Sequence, residues 1–202
     1  MTAVAVAAPA FATHLRASAA VKIVSPGVAC ELPGLRSWAV KTLGDPNART
    51  VVMKPKPTTV AALTKLHRPA VYHIGTRLHG VGTTVWQVHA DLVGAQVEHD
   101  HDIHLIIADP HTGVTMVAEF PDVACWGAKT SFARPLMQRA RAAFLAACGP
   151  VGSEFPHYTG QATITGVGFY DRFHRHLVPG TAPNAIELHP ALSFRATSCS
   201  RT

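Results

Sequence analysis

Alternation of apolar and polar residues dominates the middle of the chain. From Thr84 to Val93 it places Val85, Gln87, His89 and Asp91 on one face, the period-two signature of a β-strand. Gly94 to Val97 continues that strand, with a bulge expected at Gly94. Asp100 to Asp102 form a polar turn, and His104 to Ala108 reads as a second strand. Asp109-Pro110-His111-Thr112-Gly113 is a hairpin turn. Val114 to Phe120 is a third strand, closed by Pro121, so the three predict an antiparallel meander. From Ser131 to Ala147 the period changes: Phe132, Leu136, Ala140, Phe144 and Ala147 recur at helical spacing. Ser131 or Thr130 is the expected cap, and Gly149-Pro150 the stop. A fourth strand covers Gln161 to Tyr170, a Gly/Pro/His loop covers Asp171 to Asn184, and a last strand covers Ala185 to Phe194.

The preceding part is less regular. Trp38 to Val52 reads as extended, broken by the turn Gly44-Asp45-Pro46-Asn47. Pro55 and Pro57 argue against regular structure there. Thr58 to Leu66 reads as a short helix capped by Thr58 or Thr59. The expected organisation is therefore an Ala/Pro-rich tail over 1–35, an arm with a short helix over 36–80, a barrel-like domain over 81–195 and a tail over 196–202. Five strands with a helix between the third and fourth predict a mainly β (α+β) fold, an OB-like, partly open barrel.

Alternation also sorts the chemistry. Asp102-Ile103-His104 and Glu187-Leu188-His189 repeat one arrangement: acid, apolar residue, histidine. On a strand the acid and histidine share a face, opposite the apolar residues. Two such pairs brought together have the composition of a metal site or an acid–base pair. In the order expected here the two strands are not neighbours, so convergence needs the barrel to close or the 171–184 loop to bring them together. The other reading is a polar lock, with His104 and Glu187 hydrogen-bonded to fix register.

Composition narrows the classes. The chain has 202 residues, 48% of them hydrophobic, which is enough for a core and excludes global disorder. No apolar run is long enough to span a membrane as a helix. A net charge of +6 and a pI near 9.5 favour an anionic partner such as nucleic acid or another polyanion. Apart from Arg134, Arg139, Arg141 and the 172–175 region, the basic residues are scattered; Arg134 and Arg141 read as a solvated helix face. Of the 13 histidines, His99, His101 and His176 read as loop residues. The start of the chain ends an apolar stretch in Ala10-Phe11-Ala12, a cleavage-like triplet that favours export although no early positive charge precedes it. Cys30, Cys125, Cys148 and Cys199 fit no zinc motif. Cys125 with Cys148, which bracket the predicted helix, is the favoured disulfide, followed by Cys30 with Cys199; four free thiols is the alternative.

Several strings resemble a family of largely uncharacterised bacterial, exported proteins: Trp38-Ala-Val-Lys41-Thr-Leu-Gly-Asp45-Pro46, Pro57-Thr-Thr-Val-Ala-Ala-Leu63, Asp102-Ile-His104-Leu-Ile-Ile-Ala-Asp109-Pro110, Met116-Val-Ala-Glu119-Phe-Pro121, Ile164-Thr-Gly-Val-Gly-Phe169-Tyr-Asp171 and Ala182-Pro-Asn184-Ala-Ile-Glu187-Leu-His189-Pro190. They cover most of residues 36–194. The resemblance implies no established activity. Where members carry Gly-Gln after the position of His174, this chain has Arg175-His176.

The expected function is a metal-assisted phosphodiester hydrolase, a small nuclease. Asp102, His104, Glu187 and His189 are its metal ligands and acid–base groups, and the cofactor is a divalent ion, Mg²⁺, Mn²⁺ or Zn²⁺. Arg172, His174, Arg175 and Asn184 are the expected substrate-binding residues. Against it stand the lack of an HExxH motif and of a lysine beside the acids. The alternative is a non-catalytic OB-like module gripping nucleic acid or oligosaccharide, with Trp86, Phe169, Tyr170 and Phe173 as candidate aromatics.

Overall fold

The computed structural model describes residues 37–173 and 179–202, apart from the side chain of Trp126. Six strands form one mixed sheet: β1 (Val52–Pro57), β2 (Thr84–Val97), β3 (Ile103–Ala108), β4 (Thr115–Phe120), β5 (Tyr158–Tyr170) and β6 (Ile186–Arg201). The helices are α1 (Ser37–Lys41), α2 (Val60–Leu63), α3 (Trp126–Thr130) and α4 (Arg134–Cys148).

The sheet order is β1-β2-β3-β4-β6-β5, and β5 also pairs with β2. The last five strands therefore run in a ring, β2–β3–β4–β6–β5–β2. The β4–β6 join is parallel and carries two register pairs, Val117 with Glu187 and Ala118 with Leu188. With so short a join the sheet is ring-like rather than the expected barrel, and mainly β is the part of the fold expectation that holds. The meander β2–β3–β4 and the register shift beside Gly94 are as expected. So is the turn at Asp109, whose carboxylate accepts the amides of His111 and Thr112 and, from α2, that of Ala61.

Three local expectations are corrected. Residues 38–41 are helical, not extended: a single helical turn is too short to show its period. Pro55 and Pro57 lie inside β1, which pairs in parallel with β2 and is exposed throughout. Proline is tolerated on such an edge because an outward N–H has no ladder partner to lose. The main helix begins at Arg134 rather than Ser131; Ser131 instead accepts the Ala133 amide and donates to the Leu43 carbonyl. Thr59 does cap α2, accepting the amide of Ala62 at 3.0 Å. Gly149 ends α4 with φ +84°.

The main core fills the inner face of the ring, with Ile103, Leu105, Ile107, Ala118, Phe120, Ile164, Ile186 and Leu188. Phe144 of α4 packs into it, its ring 5.2 Å from Phe120 and 5.3 Å from Phe194. A second cluster, including Leu43, Val85, Met137, Val167 and Leu192, lies outside. A disulfide joins Cys148, at the end of α4, to Cys199 near the end of β6, correcting the Cys125–Cys148 expectation. α4 lies along β6, which brings these ends together, whereas Cys125 precedes α3. No described cysteine is a free thiol, and Cys30 lies outside the described residues. Arg141 is not a solvated face either: its guanidinium donates to the Phe120 and His101 carbonyls at 2.6 and 2.9 Å.

Phe144→Ala should lower stability by about 3–5 kcal/mol, since the ring is fully buried among aromatics. Urea unfolding with an unchanged slope would register this as a lower midpoint.

Candidate functional site

The two acid–histidine pairs do meet, and β4 is what joins them. Ile103 and Leu105 face the core, which turns Asp102 and His104 to the outer face of the sheet; Ile186 and Leu188 do the same for Glu187 and His189. Between them, β4 presents Glu119 to that outer face, flanked by inward Ala118 and Phe120. The β3–β4 register sets Glu119 opposite His104, and the β4–β6 register sets Val117 beside Glu187.

His104 Nδ1 lies 2.8 Å from Glu119 Oε1 and 3.3 Å from Glu98 Oε1. Its Nε2 donates to the Pro179 carbonyl at 3.2 Å. That carbonyl is fixed by a tight turn: Gly180 has φ +78°, and a Cβ there would come within 2.5 Å of Ile106 on β3. His189 Nε2 faces Asp102 Oδ2 at 3.4 Å, and its Nδ1 faces Glu187 Oε2 at 3.5 Å. The other Asp102 oxygen accepts the Asp122 amide at 2.9 Å. The expected His104–Glu187 pair is thus replaced by His104–Glu119.

One atom set decides what this arrangement can do. Asp102 Oδ2, Glu119 Oε2, Glu187 Oε2 and both ring nitrogens of His189 are buried without a hydrogen bond. The 3.4 and 3.5 Å approaches around His189 lack hydrogen-bond alignment. Each such buried atom costs about 1–3 kcal/mol unless something fills its lone pair or takes its proton. Glu119, Glu187 and His189 each offer a ligand atom within 4.8 Å of the other two, and so do Glu98, His104 and Glu119.

Lys41, like Glu119, is a residue that the sequence reading missed. Its ammonium, at the end of α1, pairs with Asp171 Oδ2 at 3.1 Å and lies 5.4 Å over the Phe169 ring. Burial opposes its charge, but Glu187, Asp171 and Glu119 outweigh that and hold its pKa above the ordinary value. A lysine does therefore stand beside the acids, delivered from a distant segment. The site also leaves an excess of negative charge. With Lys41 set against Asp171, the four carboxylates of Glu98, Asp102, Glu119 and Glu187 surround two histidines.

Of the other expected residues, Asn184 donates its amide to the Leu63 and Leu66 carbonyls and accepts the Ile186 amide. Arg172 is exposed, and His174, Arg175 and His176 lie outside the described residues. His99 is exposed and His101 half-buried. Trp86, Phe169 and Tyr170 are buried; of the four candidate aromatics only Phe173 is exposed, at 57%. Phe173 lines a cavity of about 400 Å³ with Arg68, Val71 and Tyr72, its ring 4.2 Å from the Arg68 guanidinium.

Comparison with protein-family models, with curated proteins and with solved structures finds no match to the chain. No helix among the described residues is long and apolar enough to cross a membrane. The Cys148–Cys199 disulfide is compatible with export, and the signal-like segment lies outside the described residues.

Charge in the cluster sets the pH response of the metal-free protein. Burial and Lys41 oppose protonation of His189, but Asp102, Glu187 and Glu119 outweigh them and push its pKa up to about 9. Burial also opposes the charge on His104, and Glu119 and Glu98 raise its pKa. Burial raises the pKa of Glu119, against the pull of His104. The histidines bind protons in the fold that the unfolded chain releases above about pH 6.5. Their contribution is complete below that pH and is lost as pH rises through about 9 for His189. Glu119 acts in the same direction, because its fold-raised pKa also means more protons bound when folded. In EDTA, the urea midpoint should fall between about pH 6 and about pH 9; a flat or rising midpoint would contradict these assignments.

Proposed function

We propose that the cluster is a divalent-metal centre and that the protein is a metal-assisted phosphodiester hydrolase. The observation that carries this is the buried trio Glu119, Glu187 and His189: each offers a ligand atom within 4.8 Å of the other two, and each has a buried polar atom without a hydrogen bond. Carboxylate oxygens with imidazole nitrogen suit Mn²⁺ or Zn²⁺, and Mg²⁺ where oxygen dominates. Glu119, Glu187 and His189 would hold the ion. When bound, such an ion supplies an activated water and charge neutralisation for a phosphate.

The remaining groups position these three. His104 holds one oxygen of Glu119, which leaves the other for the ion. Asp102, anchored by the Asp122 amide, stands 3.4 Å behind His189 Nε2, where a small rotation of the ring on binding an ion would let it accept the Nε2 proton as an outer carboxylate. Lys41 keeps a positive charge beside Glu187. Arg172, exposed at the start of the 171–184 segment, offers a cation to a phosphate chain, and the net charge of +6 favours a polyanionic substrate. An OB-type reading of the sheet is supported by the order β2–β3–β4–β6–β5–β2, the parallel β4–β6 join and the placement of α4 between β4 and β5.

A second reading rests on His104, both of whose ring nitrogens already meet protein acceptors. In that reading the pairs are a polar lock within a non-catalytic binding module.

Incubation with plasmid DNA or RNA and Mg²⁺, Mn²⁺ or Zn²⁺ should give cleavage that EDTA abolishes. Glu119→Gln and Glu187→Gln should abolish cleavage while retaining the far-ultraviolet circular dichroism of the parent. Binding without cleavage under every metal would favour the module. Asp102→Asn should weaken metal binding by about 10–100-fold, as removal of a residue that orients a ligand does, read by titration calorimetry.

A further inference from the structure

Resting on the metal reading above, we infer that the centre takes two divalent ions, bridged by the carboxylate of Glu119. Glu119 belongs to both ligand groups, Glu98–His104–Glu119 and Glu119–Glu187–His189. Its two oxygens differ in state: Oε1 faces His104 Nδ1 at 2.8 Å, and Oε2 is buried without a hydrogen bond.

The histidines are oriented alike. Each turns Nε2 to an acceptor on its far side, the Pro179 carbonyl for His104 and Asp102 for His189. Each turns Nδ1 to the carboxylates, Glu119 and Glu98 in one case and Glu187 in the other. A carbonyl oxygen only accepts, so Nε2 carries a proton, and a cation at Nδ1 would displace the proton that Nδ1 shares with Glu119 at 2.8 Å. A carbonyl or carboxylate behind a histidine that turns its other nitrogen forward is the usual surrounding of a metal-binding imidazole.

Charge supports the count. With both rings neutral, the four carboxylates of Glu98, Asp102, Glu119 and Glu187 balance two dications. A spread of 4.8 Å needs a contraction of under about 1 Å to close each set onto an ion with ~2.1 Å bonds. The two positions differ in access. Glu119, Glu187 and His189 are all buried, whereas the Glu98 side chain is 32% exposed. The inner ion should bind more tightly and the outer one exchange more readily with solvent. Paired ions on a shared carboxylate suit a phosphodiester, since one can face the attacking oxygen and the other the leaving oxygen.

The test is stoichiometry, read without activity. The full-length chain, stripped with EDTA, is titrated with MnCl₂ by calorimetry, and bound metal is counted by elemental analysis after dialysis. Two ions per chain, with a spin-coupled Mn²⁺ resonance, are expected. Glu98→Gln, a change at a partly exposed side chain, should leave one ion and an uncoupled resonance. One ion in the parent protein overturns the two-ion centre and leaves the single-metal reading standing. No ion overturns both. Two ions retained in Glu98→Gln overturns the assignment of the outer position.

Discussion

The polar cluster on the outer face of this sheet answers to the burial of carboxylates. An ionised carboxylate taken out of water costs several kcal/mol unless charge and hydrogen bonds return it. Asp102, Glu119 and Glu187 are all buried, on three different segments. Their surroundings are arranged accordingly: an imidazolium-capable ring on each side of Glu119, a backbone amide on Asp102, and the ammonium of Lys41 brought in on α1. α1 is in turn held by a second buried pair. Arg77 binds Asp45 through Nε and Nη2 and also donates to the Val40 and Gly82 carbonyls. The close seat of Trp38 on Gly127, where a Cβ would come within 2.6 Å of the indole, fixes the other side of that helix.

Much of the fold was legible, and the reason is locality. Period two exposed β2, apolar runs bounded by turn residues marked β3 to β6, a bulge glycine marked the irregularity in β2, and turn chemistry at Asp109 placed the hairpin. The same period assigned Asp102, His104, Glu187 and His189 to the faces that they occupy. What escaped was non-local. Glu119 stands alone in an apolar strand, where a single acid on one face looks like an ordinary solvent position. Only the pairing of β4 with both β3 and β6 shows that it is central. Lys41 lies far upstream in a helix of one turn, and nothing in its neighbours points toward Glu187. Both residues sat inside strings that carried the family resemblance, which flagged the segments without saying what their side chains do.

β1 and the disulfide make a related point. Proline content argued against a strand at 52–57, yet the constraint proline imposes concerns a missing donor, and an edge strand facing water has no use for that donor. The cysteines were paired by the helix they bracket, whereas the geometry follows the packing of α4 along β6. Sequence distance misled in both directions: near residues were kept apart, and residues 51 positions apart were joined. Closing a loop of that length restricts the unfolded chain by about 4 kcal/mol in the chain-entropy model.

The short parallel join between β4 and β6 has a wider meaning. Two register pairs give the ring little backbone adhesion where it closes, and the side chains beside that seam are Glu119 and Glu187. Like charges there push the strands apart; a shared counter-charge draws them together. Ring closure and occupancy of the cluster are therefore one linked equilibrium. A ligand seated between these two carboxylates would act as a clasp on the tertiary structure, binding the closed ring and so stabilising it.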